Sequence, residues 1–156
     1  MKKLVFVFTL LFTLPTLSQP FGNEWIDYSQ NYYKIPIAEN GVYRISFQTL
    51  LAAGVPVTSV DPNNYQLFAK GEEIPLCIDG ESDGVFDVID YLEFYGEKND
   101  GWLDTALYEG RTNQPNPYYS LINDTLNYFL TWNSSANNLR YQEENAIDFG
   151  NYLKAP

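Results

Sequence analysis

Histidine is absent from all 156 residues, and cysteine occurs once, at Cys77. Without histidine the chain lacks the usual base for nucleophilic chemistry near neutral pH. One cysteine rules out a disulfide within the chain, so the fold has to rest on its core. Positive charge is scarce too. Nine Lys and Arg stand against 20 Asp and Glu, a formal charge of −11. Such a balance argues against nucleic acid and against anionic membrane surfaces as partners, since both need Lys and Arg. There is no internal repeat, low-complexity tract or coiled-coil heptad.

Apolar and aromatic residues are plentiful. Aromatics reach 17% of the chain, enough for a core without disulfides. At the N-terminus, Lys2 and Lys3 precede an apolar run, Leu4 to Leu14, with small residues at Thr16 and Ser18. That run is shorter than the roughly 20 residues of a membrane span. It predicts a secretory signal peptide over residues 1–18, cut before Gln19. Removing Lys2 and Lys3 leaves seven basic against 20 acidic residues, a mature charge near −13. The expected product is an acidic, secreted domain.

Tyr33, Ile35 and Ile37 share a face by alternation and predict a first strand. Pro36 cannot donate to a ladder, which places that strand at a sheet edge. Asn40-Gly41 predicts a tight hairpin turn, with Val42 to Ile45 returning as its second strand. Residues 46–53 predict one short helix, capped by Ser46 and ended by Gly54. Further strands are expected at Tyr65–Ala69, Glu72–Ile78, Tyr91–Tyr95 and Leu126–Trp132, with a weaker one at Leu139–Tyr141. Lys70-Gly71 is a turn, and Leu107-Tyr108 with the Asn- and Pro-rich stretch Thr112 to Pro117 a long surface loop. Short strands between Gly and Asn turns predict an all-β, sandwich-like antiparallel domain over residues 19–145. Residues 146–156 carry no stop signal and read as the start of a linker or next domain in a truncated chain.

The densest chemistry lies in Asp79 to Asp104, which holds nine acidic residues and five aromatics. Asp79, Glu81, Asp83, Asp87 and Asp90 fall at positions 1, 3, 5, 9 and 12 of a candidate calcium loop, with Gly84 at position 6. Glu at position 3 and Asp at position 12 depart from the usual pattern. Two readings stand: a calcium loop, or an acidic turn held open in solvent. Phe86 is expected to point into the core. Cys77, lacking a base, is expected to be a small buried core residue. No spacing singles out a catalytic pair among the carboxylates. Trp25, Trp102 and Trp132 either stack on sugars or fill the core.

The runs YYKIPIAENGVYRIS, LLAAGVP, YQLFAKGEEIPL, GESDGVFDVIDYLEFYGEKNDGWLD and NPYYSLINDTLNYFLTW resemble the N-terminal region of gingipain-type cysteine peptidases. They look most like the PorU-like sortases of the type IX secretion system of Gram-negative bacteria. The likeness spans roughly residues 22 to 133. It implies a β-rich domain preceding a peptidase domain with a Cys-His dyad, and export through the periplasm to the cell surface. Neither dyad residue carries over: the chain has no histidine, and Cys77 stands outside the peptidase part. The expected role is therefore non-catalytic, packing on its own peptidase domain or on surface partners. The alternative is a stand-alone secreted carbohydrate- or protein-binding module. Thr105 in Asp104-Thr105-Ala106 and Thr125 in Asp124-Thr125-Leu126 resemble the O-glycosylation acceptor of bacteria with this secretion route. They are glycosylation candidates or ordinary loop threonines.

Overall fold

A computed structural model describes residues 22–134 and 137–144. The expected signal peptide (1–18) and terminal segment (146–156) lie outside the described residues. Among the described residues, seven strands form two antiparallel sheets with one short helix. They are β1 (Tyr33–Ile37), β2 (Gly41–Ser46), β3 (Tyr65–Ala69), β4 (Glu72–Ile74), β5 (Cys77–Ile78), β6 (Tyr91–Gly96) and β7 (Leu126–Trp132), with α1 (Phe47–Ala52) after β2. One sheet runs β1-β7-β3-β4, the other β2-β6-β5.

Alternation along each strand supplies the shared core. In β3, Tyr65, Leu67 and Ala69 are buried, in β6 Leu92 and Phe94, and in β7 Leu126, Tyr128 and Leu130. Phe94 and Tyr128 bring the two sheets together, with ring centroids 5.3 Å apart. Gly96, at the end of β6, is small because the Tyr43 ring crosses it: a Cβ there would sit 2.8 Å from that ring. The helix forms where expected. Ser46 Oγ accepts from the Thr49 N–H at its start, and Gly54 just past its end has φ +83°.

β1 is an edge strand, as Pro36 requires. The hairpin expected at Asn40-Gly41 does not form. β1 pairs with β7 and β2 with β6, so residues 38–40 carry the chain from one sheet to the other. Neither Asn40 nor Gly41 has the positive φ of a tight hairpin. Instead the Asn40 side chain accepts from the Lys98 N–H at 2.8 Å, tying the corner to the end of β6. The strand expected over Glu72–Ile78 is likewise split. Pro75 interrupts it, leaving β4 beside β3 and β5 beside β6. The turn at Lys70-Gly71 does form, with both residues at positive φ. Leu139–Tyr141 contributes a single parallel bridge, Arg140 to Leu76, rather than a strand.

Candidate functional site

The acidic loop between β5 and β6 does not gather its carboxylates. Glu81 pairs with Arg140 at 2.7 Å, and Asp83 accepts from the Val85 N–H at 2.9 Å. Asp90 is buried beneath Gly80 and accepts from the Asp87 N–H at 2.6 Å. Asp79 and Asp87 are exposed. Among the described residues no three Asp, Glu or Cys side chains stand where they could hold a metal ion. The loop is held instead by Phe86, buried as expected and stacked against Phe47 at 6.0 Å. Arg140 completes the hold by donating to the carbonyls of Pro62, Asn63 and Tyr65. Its role was hidden in the sequence, because Glu81, Pro62, Asn63 and Tyr65 lie 59 or more residues away.

Cys77 is exposed, not buried. β5 spans two residues and puts Ile78 inward, so alternation turns the thiol out, opposite Glu93 of β6. Its pKa is raised, first by partial desolvation and then by Glu93, Glu81, Asp79 and Glu143. That is the reverse of what a nucleophile needs. The two threonines also differ. Thr105 is half-buried and its hydroxyl donates to the Trp102 carbonyl at 2.6 Å. The Thr125 hydroxyl has no such bond among the described residues.

The most elaborate surface is the connection from β6 to β7, residues 97–125. Its ends are clamped, since the Asn99 N–H donates to the Asp124 carbonyl at 2.9 Å and the Asn99 side chain to the Asn123 carbonyl at 2.8 Å. Asp104 is its internal anchor. Only 6% exposed, it accepts from the Ser120 hydroxyl at 2.8 Å and the Leu121 N–H at 3.1 Å. Gly101, at φ +76°, makes room beside it, since a Cβ would meet Gln114 at 2.7 Å and the Tyr119 carbonyl at 2.9 Å. Arg111 bonds Asp100 at 2.9 Å and the Pro117 carbonyl at 2.8 Å, and Lys70 reaches Asp100 at 3.3 Å. Burial pushes the Asp100 carboxyl up, but Arg111 and Lys70 outweigh it and hold the group below its usual range. Lys98 lies 3.9 Å over the Tyr119 ring.

This braced loop presents apolar side chains to solvent. Tyr118, Leu121 and Ile122 are 74%, 75% and 76% exposed, and Leu103 just before the 3-10 turn Asp104–Tyr108 and Leu107 within it stand out too. Asp104 and Gly101 were not singled out in the sequence. An Asp followed by Thr reads as surface there, and only long-range bonds to Ser120 and Leu121 reveal the anchor.

The three tryptophans have separate fates. Trp132 stacks on Tyr33 at the far end of β7, centroids 6.0 Å apart. Trp25 folds over the outer face of the four-stranded sheet, against Phe68 at 5.1 Å and Phe129 at 5.5 Å. Trp102 joins Trp25 in a cleft of about 280 Å³ that Lys70, Asn99, Thr125 and Asn127 also line.

Compared with protein-family models, curated proteins and solved structures, the chain matches none. Its function is therefore argued from these surfaces. Among the described residues no helix is long and apolar enough to cross a membrane.

Proposed function

We propose that this chain is the non-catalytic N-terminal domain of an exported cell-surface cysteine peptidase of the gingipain and PorU-like type, with a sandwich-like fold. It acts by packing on its own peptidase domain or on surface partners of the type IX secretion system. One observation carries the reading: residues 97–125 are clamped at both ends and anchored within, yet turn Tyr118, Leu121 and Ile122 to water. Apolar side chains held out at fixed positions lower the entropic cost of association, which is what a docking surface requires. The sequence resemblance supports the class of partner.

The reading frame beyond Pro156 provides the first test. A histidine-containing peptidase domain in that frame supports the proposal, and a stop codon there favours a stand-alone binding module instead. The second test uses the full-length protein. Leu121→Asp together with Ile122→Asp is expected to loosen the domain, giving faster limited proteolysis between it and the peptidase. Mature protein recovered from the envelope is expected to begin at Gln19 by mass spectrometry.

A further inference from the structure

The cleft between Trp25 and Trp102 shares Leu103 with the docking loop but is not lined by Tyr118, Leu121 or Ile122, and it has a different chemistry. We infer that it is a binding site for a neutral saccharide. Two indoles lie along one depression of about 280 Å³, at or just below the small end of ligand pockets. That volume suits one or two sugar rings rather than a peptide segment. Indole faces suit the C–H faces of a pyranose, burying apolar area while the ring hydroxyls stay free for polar partners.

Those polar partners are in place. Asn127 points from the outer face of β7, opposite Pro36 of β1, and Thr125 stands two residues before it. Among the described residues, neither side chain has a hydrogen-bond partner, nor does either indole N–H. An amide, a hydroxyl and two indole N–H groups together offer donors and acceptors suited to sugar hydroxyls. Lys70 adds a cation at the rim, but it is shared with Asp100 at 3.3 Å and Glu97 at 3.8 Å. With its one cation so compensated, and a whole-chain charge of −11, the cleft gives no net attraction for an anionic sugar. The ligand class is therefore uncharged hexoses or N-acetylhexosamines.

The platform is preorganised. Trp25 is fixed by Phe68 and Phe129 on one side and by the edge of Tyr32 at 5.6 Å. Trp102 is held through its backbone, its N–H donating to Asp100 at 3.2 Å and its carbonyl accepting from Thr105. The Trp25 ring is thus fixed before a ligand arrives, which spares the cost of ordering it.

The test is a titration of the purified chain with glucose, galactose, mannose, N-acetylglucosamine and their short oligosaccharides, up to about 10 mM. Tryptophan fluorescence and the indole N–H resonances report binding. A saturable shift of the Trp25 and Trp102 resonances, with Trp132 unmoved, is the expected result. Trp102→Ala should weaken affinity at least about tenfold, 1.4 kcal/mol, while Trp102→Phe keeps most of it. Because Trp25→Ala would also strip the cover from Phe68 and Phe129, Trp102 is the informative position. Flat titrations across the panel, or affinity unchanged in Trp102→Ala, would overturn the assignment. The titration is independent of the Leu121 and Ile122 variants, so one proposal can fail without the other.

Discussion

Cys77 turns outward from a two-residue edge strand and is hemmed by carboxylates. A thiol reacts as thiolate, so its raised pKa slows it at neutral pH despite its exposure. Labelling by a disulfide reagent is expected to go to completion in the native protein, more slowly than for free cysteine at pH 7. The rate should climb as pH rises through the alkaline range. Equal rates for Cys77 and a free thiol at pH 7 would show that the carboxylates exert no such hold. Gly80 makes a second residue-scale case. It sits at φ +87°, and any Cβ would run into the Asp90 carboxyl group. Gly80→Ala therefore combines left-handed strain with displacement of a buried side chain, a loss of about 1–3 kcal/mol in urea unfolding. An unchanged midpoint would mean that Asp90 is loosely seated. Its place in the loop pattern put Phe86 in the core correctly, while Val85, Val88 and Ile89 of the same loop stay exposed. The lack of a base put Cys77 in the core wrongly, because residue type alone does not say which way a two-residue strand faces.

Strands with strong alternation, β3 and β7, were legible to the residue, and α1 with its Ser46 cap to within one residue at each end. What sequence hid was pairing. Asn40-Gly41 has the composition of a hairpin turn, yet the Ile37 face of β1 and the Phe94 face of β6 together close one core. Putting β1 and β2 in different sheets lets both faces be buried. Pro75 does the same for Glu72–Ile78 by ending one ladder before the next begins. Of the loop 97–125 the sequence marks only Leu107-Tyr108 and Thr112–Pro117 as surface, because the order of the whole comes from contacts between its two arms. That order is electrostatic in part, and acid probes it. The Asp100 pKa is depressed, so its contribution is present above the ordinary carboxylate pKa and is lost as pH falls through the folded value. Limited proteolysis within 97–125 is expected to accelerate below about pH 4, where carboxylates protonate. Asp104→Ala should produce the same susceptibility at pH 7, with about 1–3 kcal/mol lost through unpaired Ser120 and Leu121 donors. Cleavage at an unchanged rate in both cases would assign the loop's order to packing alone.

At the scale of the whole molecule, 20 acidic residues on a chain with nine basic ones leave a charge of −11. Self-repulsion of that size works against the compact state, so any cation relieves it to some degree. A specific calcium site would behave differently from this general screening. It would stabilise the fold by RT ln(1 + [L]/Kd), about 2.7 kcal/mol at a hundredfold excess, or several degrees of melting temperature. Asp79, Glu81, Asp83, Asp87 and Asp90 do not converge, and Glu81 and Asp90 are held by Arg140 and the Asp87 N–H. Gathering them would require breaking both bonds and drawing Asp90 out from under Gly80. The expected outcome is therefore that melting curves in calcium, in magnesium and in chelator coincide once ionic strength is matched. Magnesium is the necessary control, since it screens as calcium does but demands a tighter octahedron and keeps its waters. A rise of several degrees in calcium alone, abolished by Asp83→Ala, would mean that the loop refolds around an ion. In that case Arg140→Ala should raise calcium affinity, because it frees Glu81 to turn inward.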